Sequence, residues 1–250
     1  MDPYAWAWDL EALVLVPGLL VGYLIGTRGI PRAPWRLASF LAGLALILIV
    51  SISPLQTLAL EYLLSAHLLQ NVVLAEWAPA LCVLGVPAAL ATRLTSFRLP
   101  RALTHPFVAL PVWLGTYFAW HLPPAYDAAL RDPGFLLHVE HACYFASGCL
   151  LWWPAVHDQP HSLNAGTRAA YLFAAFVLAS PLGLLLALLP DAVYDFYEAA
   201  PRLWGLSPLS DQQLGGLTMA AEQAVVFFIA FAYFFLRFLK EEESREEEQP

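Results

Sequence analysis

The sequence predicts an all-α integral membrane protein, a bundle of about seven transmembrane helices. Of its 250 residues, 60% are hydrophobic and only 13% are charged, whereas a soluble domain is nearer half apolar and a quarter charged. Several nearly uncharged runs also approach the roughly 20 residues that cross a bilayer. Soluble enzyme folds are therefore excluded. The expected surroundings are a lipid bilayer, and the sequence has no basic patch that would indicate a nucleic-acid partner.

Seven apolar runs are the candidate spans, and together they make residues 1–239 a single membrane domain. In chain order they lie at 10–25, 37–52, 63–90, 107–120, 135–156, 169–189 and 214–239. The third run is too long for one straight crossing and contains Pro79, Gly85 and Pro87. Its second half is therefore expected to kink, tilt or lie along the inner surface.

Positive charge sets the orientation, because short cytoplasmic loops collect Lys and Arg. With seven spans and the N-terminus outside, ten of the twelve Lys and Arg residues fall on the cytoplasmic side. Only Arg131 and Arg202 fall outside. A span missed or wrongly added in the middle would move every later loop to the opposite side of the membrane and would break this bias. The sequence therefore predicts an external N-terminus and a cytoplasmic C-terminus.

The two ends of the chain and the three cysteines support further expectations about the mature protein. The N-terminus lacks the positive charge of a cleaved signal peptide, so the first span is expected to stay in the mature protein. Six of the twenty acidic residues lie in the last ten positions, which predicts a disordered cytoplasmic tail over 240–250. Cys82, Cys143 and Cys149 lie in apolar runs and are expected to be buried small residues rather than a disulfide framework.

Four of the seven histidines converge on the outer face of this topology. His67 lies near the outer start of the third span and His121 at the outer end of the fourth. His138 and His141 lie at the outer start of the fifth. The other three belong to inner loops, where solvation or headgroup contact is the simpler interpretation: His105, His157 and His161.

Further polar side chains accompany these histidines at membrane depth, where such groups usually face a bundle interior or a cavity. They are Gln70, Asn71, Asp127, Glu140, Asp211, Gln212 and Gln213. Imidazoles from neighbouring helices with the thioether of Met219 would favour copper, especially Cu(I). A carboxylate such as Glu140 or Asp127 could accept the second imidazole N–H. Hydrogen bonding between helices stays open as the alternative role of each histidine.

Two acidic residues lie deeper in the spans. Glu76 and Glu222 lack a basic partner at matching depth in the sequence. Protonated, hydrogen-bonded carboxyls are the simpler interpretation, and a proton path is the alternative.

Five short motifs follow one another from the third span to the last. The first is Ser65-Ala66-His67-Leu68-Leu69-Gln70, followed by Ala78-Pro79 and Gly85-Val86-Pro87. The second is Trp120-His121-Leu122-Pro123 with Tyr126-Asp127-Ala128-Ala129-Leu130, and the third is Glu140-His141 with Leu151-Trp152-Trp153-Pro154. The fourth is Leu206-Ser207-Pro208-Leu209, and the fifth is Asp211-Gln212-Gln213-Leu214-Gly215-Gly216 before Met219. Together they resemble the bacterial cytochrome c oxidase assembly factors of the caa3-type CtaG family. Leu68 and Asn71 depart from the family pattern, which commonly has Met and His there.

The resemblance implies a membrane factor, not an enzyme, in the bacterial plasma membrane. It implies transient binding of copper, as Cu(I), near the outer face and its insertion into an oxidase subunit, with a soluble copper chaperone as a further partner. His67, His121 and His141 are then the functional histidines. His138 and Met219 complete the candidate ligands.

Two other functions stay open at this stage. One is a haem-binding electron-transfer protein in which His67 and either His141 or His121 ligate the iron. The other is a metal-free assembly scaffold in which the histidines only hold helices together.

Overall fold

The computed structural model describes residues 2–247, and the chain there is helical, with 78% of residues in helix and no strand among the described positions. The α-helices are α1 (Leu10–Gly26), α2 (Pro34–Ile52), α3 (Pro54–Glu61), α4 (Leu64–Val72), α5 (Ala78–Gly85), α6 (Ala88–Leu94), α7 (Arg98–Leu103), α8 (Pro106–Trp120), α9 (Pro123–Arg131), α10 (Leu136–Val156), α11 (Ala165–Leu188), α12 (Asp195–Ala199) and α13 (Pro208–Glu247). The predicted all-α class is confirmed.

Four stretches are long and apolar enough to cross a membrane by length and composition. They are Pro34–Ile52, Leu64–Gly85, Ala165–Leu188 and Pro208–Glu247, and Ala12–Gly26 is a shorter apolar helix. One buried apolar core runs through the bundle and includes residues of α1, α2, α4, α8, α10, α11 and α13. The chain is therefore a helical protein with several membrane-type helices.

The third predicted run, 63–90, forms one long helix that ends just before Pro87 and a separate short helix after it. A turn of π-helix, Val73–Trp77, joins α4 to α5, so that one continuous helix covers Leu64–Gly85. Pro79 lacks an N–H and follows the π turn as the second residue of α5, so the regular backbone hydrogen bonding of the continuous helix is interrupted there. The helix ends where Val86 turns extended before Pro87, and α6 begins anew at Ala88.

Glycines allow the closest helix contacts. A Cβ on Gly216 of α13 would lie 2.6 Å from the backbone nitrogen of Ala187 on α11, and a Cβ on Gly148 of α10 would collide with the carbonyl oxygen of Ala75 in the π turn. Small residues let membrane helices approach to backbone contact. The second contact fixes α10, which carries His141, against the helix that carries His67.

The acidic tail differs from the prediction. Residues 240–247 continue α13 as helix instead of a disordered tail, and residues 248–250 lie outside the described part of the chain. Lys and Glu are good helix formers, and ion pairs one turn apart join Arg237 to Glu241 and Arg245 to Glu242. Such pairs stabilise an exposed helix, so a helix already formed in α13 extends through the charged residues.

Candidate functional site

Three of the predicted histidines gather at one end of the bundle, and we call His67, His121 and His141 the histidine cluster. His67 lies on α4, His121 directly follows α8, and His141 lies on α10. All three are buried. The ring centroids of His67 and His141 are 6.1 Å apart. The structure thus brings together side chains from three helices that are far apart in sequence.

Tyr126 of α9 lies between the rings of the cluster. Its ring centroid is 5.1 Å from that of His67 and 5.8 Å from that of His121. The side chain is fully buried, and its hydroxyl has no hydrogen-bond partner. The interior of the cluster is therefore polar as well as closed.

The protonation of His67 follows from its contact with Tyr197 of α12. The Tyr197 hydroxyl donates to the carbonyl oxygen of Ala59 at 2.5 Å and lies 3.0 Å from Nδ1 of His67. Burial raises the pKa of Tyr197 well above its usual value, and the Asp211 carboxylate adds to the shift, so the hydroxyl keeps its single hydrogen. Since that hydrogen goes to Ala59, Nδ1 of His67 must donate, and Nε2 carries the lone pair.

His121 is held in the same tautomer by a different group. Its Nδ1 lies 2.7 Å from the carbonyl oxygen of Tyr117, one turn earlier on α8, and 3.1 Å from the hydroxyl of Tyr144. A carbonyl oxygen only accepts, so Nδ1 donates and Nε2 is the free base. The N–H groups of these imidazoles therefore bond to a hydroxyl and a carbonyl, and not to the carboxylates considered from the sequence.

The Nε2 atoms of all three histidines in the cluster are buried without a hydrogen-bond partner. An unpaired buried polar atom is costly, and native structures keep few of them. Asn71 Oδ1 and Glu140 Oε2 are unpaired as well. The cluster therefore concentrates unused lone pairs, which a cation or ordered water can satisfy.

A small cavity opens beside His141. Its volume is about 20 Å³, and its lining includes His141, Leu74, Ser51 and Asp9, the residue that caps α1. A space of this size holds one water or ion. Asp9 and His141 thus line the same cavity.

The predicted acidic and amide residues act mainly as supports of the backbone. Asp211 accepts from the backbone nitrogens of Leu64 and Ser65 at 2.6 and 3.2 Å and so caps the helix that carries His67. Asp127 accepts from the nitrogen of Phe196 at 3.2 Å and pairs with Arg131. These two carboxylates hold the start of α4 and the start of α12 in place.

The predicted amides join neighbouring segments. Gln212 accepts from the nitrogen of Val193 and donates to the carbonyl oxygens of Leu186 and Asp191. Asn71 donates to Glu140 at 3.1 Å. Gln70 donates to Gln56 and to the Val50 carbonyl, while Gln213 is only half-buried.

Two further candidate ligands, His138 and Met219, are not members of the histidine cluster. His138 lies one turn before His141 on α10 and is half-buried. Met219 is buried in the apolar core, beside Gly183 of α11. Within residues 2–247, no group of three or more His, Cys, Asp or Glu side chains is arranged to hold a metal ion. The three imidazoles of the cluster therefore do not form a closed metal site in this arrangement.

The inner histidines and the cysteines occupy other surroundings. The Nε2 atom of His157 lies 3.2 Å from the Val83 carbonyl, and that of His161 lies 3.0 Å from the Arg101 carbonyl. Nδ1 of His105 accepts from the backbone nitrogen of Phe107. All three cysteines are free thiols, as expected, but the prediction that they are buried is correct only for Cys82, since Cys143 and Cys149 are half-buried.

Sequence reasoning missed the tyrosines that enclose the cluster: Tyr117, Tyr126, Tyr144, Tyr194 and Tyr197. Each is buried. The spacing carried a signal, since Tyr117 lies four residues before His121 and Tyr144 three after His141, which places each on the same helix face as its histidine.

The family-specific motifs agree with a comparison to known proteins. The model of the cytochrome c oxidase caa3 assembly factor family matches residues 21–241. The chain belongs to this family. An uncharacterized protein of Mycobacterium bovis is 26% identical over 242 residues, which cover 84% of this chain and 36% of the relative. An uncharacterized protein of Mycobacterium leprae is 24% identical over 259 residues, covering 90% of this chain and 38% of the relative.

This chain therefore spans little more than a third of the length of these curated relatives. No solved structure matches it significantly. Membership of this family and the long apolar helices agree with a membrane protein.

Proposed function

We propose that this caa3 assembly factor binds copper, as Cu(I), in the histidine cluster and aids its insertion into an oxidase subunit. One observation carries the proposal: three buried Nε2 atoms from three helices lack partners, and two are held as free bases. Neutral imidazole nitrogen is a common copper ligand. Copper is the cargo, so a site with few ligands suits capture followed by release.

The distance between two rings supports such a site. A metal bonded to an imidazole nitrogen at about 2.0–2.1 Å sits roughly 3 Å from the ring centre. The 6.1 Å between the centroids of His67 and His141 therefore allows both rings to contact one ion. We propose His121, His138 and Met219 as the additional ligands that join when copper binds. A soluble copper chaperone is the proposed donor.

We also propose seven spans with the N-terminus outside, which puts the histidine cluster near the outer face. The distribution of Lys and Arg supports this orientation. Reporters fused after Trp204 and after the C-terminus test it. We expect an external signal from the first and a cytoplasmic signal from the second. Signals from the same side would contradict an odd number of crossings between them.

A metal-free scaffold is the second candidate. It is supported by the described residues, which hold no group of three or more metal-binding side chains in reach of one ion. Haem is less well supported, because the cavity beside His141 is only about 20 Å³. A haem group would need a slot many times larger.

Rescue of oxidase assembly separates copper delivery from scaffolding. We propose replacing the gene in its host by variants and measuring the copper content and activity of the purified oxidase. His67→Ala/His141→Ala should lower both, whereas His157→Ala, which changes a buried histidine that already has a partner, should not. Full rescue by the double variant would support the scaffold instead.

A further inference from the structure

Two carboxyl groups meet inside the bundle, about two and a half turns of helix from His67 along the chain. Glu76 lies in the π turn and is fully buried, while Glu222 lies on α13 and is half-buried. Each glutamate bonds to the sequence neighbour of the other, Glu76 to Gln223 and Glu222 to Trp77, so the two carboxyl groups lie close enough to interact. Ionisable groups are rare in membrane helices and usually functional.

Each carboxyl group already has one donor on its other oxygen. The side-chain amide of Gln223 donates to Oε1 of Glu76 at 2.8 Å, and the indole N–H of Trp77 donates to Oε2 of Glu222 at 2.5 Å. Glu76 Oε2 and Glu222 Oε1 remain buried without a partner. These are the two oxygens available to face each other.

The surroundings supply no compensating positive charge. No Lys, Arg or His in the described chain forms an ion pair with either glutamate. The titratable group that interacts with both glutamates from a neighbouring helix is the Tyr117 hydroxyl of α8, which accepts from Gln223 at 2.9 Å. It carries no positive charge at any pH.

The protonation state of the Glu76–Glu222 pair follows from the hydrogen-bond donors and acceptors around its four carboxyl oxygens. With no proton, two negatively charged oxygens would face each other, which neighbouring carboxylates avoid. With one proton, Glu76 Oε2 and Glu222 Oε1 bond to each other, and every carboxyl oxygen is satisfied. A second proton would put a hydrogen on both facing oxygens and would replace the charge-assisted bond between a carboxyl and a carboxylate by a weaker neutral one.

We propose that Glu76 and Glu222 form a proton-binding site that holds one proton between Glu76 Oε2 and Glu222 Oε1. The π turn supports a specialised role, because such turns occur often at functional sites. Gln223 connects the site to Tyr117, whose carbonyl oxygen holds His121. The ligand is the proton itself, and the site stands whether or not copper binds.

Infrared difference spectroscopy of purified protein at neutral pH tests the proposal. Subtracting the spectrum of Glu76→Gln/Glu222→Gln from that of the wild type should leave one band of a protonated carboxyl and one of a carboxylate. Glu140 is unchanged in both and cancels. The control Glu198→Gln changes an exposed glutamate and should remove a carboxylate band alone. Two carboxylate bands, or two protonated bands, would overturn the proposal.

Glu222→Gln covers the case in which the double variant fails to fold. Its amide keeps an oxygen for Trp77 and offers an N–H to Glu76 Oε2 in place of the shared proton. We expect the protonated-carboxyl band to be lost and one carboxylate band to remain. Full retention of the protonated band would show that the proton belongs to Glu76 alone and would also overturn the proposal.

Discussion

The hydroxyl of Tyr197 lies 3.0 Å from Nδ1 of His67 and thereby sets which nitrogen of that imidazole is free. The same hydroxyl is anchored to the Ala59 carbonyl at 2.5 Å. Partners of this kind orient a metal-ligating histidine and fix its tautomer. A short helix outside the main bundle, α12, thus prepares a side chain on α4 for binding.

Tyr197→Phe should weaken copper binding without removing any ligand. The variant keeps the ring but loses the acceptor for the His67 N–H, and loss of such a partner lowers metal affinity by about 10–100-fold. Competition with a Cu(I) chelator measures the change. Tyr171→Phe is the matched control, because the hydroxyl of Tyr171 bonds to the Leu151 carbonyl on the helices away from the cluster. Equal losses in both variants would contradict the role of Tyr197.

Asp211→Ala should destabilise the protein by about 2 kcal/mol, because a lost helix cap and a buried backbone N–H without a partner each cost in this range. Asp211 accepts from both Leu64 and Ser65 at the start of α4. Unfolding in detergent measures the change. Asp191→Ala alters an exposed aspartate and should stay within about 0.5 kcal/mol of the wild type. An unchanged Asp211→Ala variant would show that α4 does not need this cap.

Gly148→Ala should cost at least about 2 kcal/mol of stability, as overpacking of a tight interface does. The added methyl group would collide with the Ala75 carbonyl oxygen. Gly115 of α8 is the control, since a Cβ there meets nothing within 4 Å, and alanine in a helix interior is favoured over glycine by up to about 1 kcal/mol. A stable Gly148→Ala variant would mean that α10 can move away from the π turn.

The sequence predicted the all-α class and the long apolar helices because apolar runs and proline positions are local features, but it did not predict the short helices α3, α7, α9 and α12. It also placed His67, His121 and His141 at one end, since the spacing of the spans determines their depth. It did not predict the hydrogen bonds between them. Tyr197 reaches His67 across 130 residues and Asp211 reaches Leu64 across 147, and such pairings depend on how the helices pack.

The acidic tail shows that local composition alone does not predict secondary structure. A run of glutamates suggested disorder when considered alone, but α13 enters it as a formed helix with Arg237 paired to Glu241. Extending an existing helix avoids the cost of nucleation. The length of the preceding helix therefore decided the outcome more than the local composition.

Cu(I) retention by the purified protein tests the central claim most directly. Protein loaded anaerobically with Cu(I) and desalted is compared with His67→Ala, His121→Ala, His141→Ala and the control His157→Ala, with a visible spectrum of each. We predict about one copper per wild-type chain, no haem band, a sharp loss in the first three variants and full retention in the control. Copper that binds equally to all five proteins, or to none, would contradict a copper site in the histidine cluster.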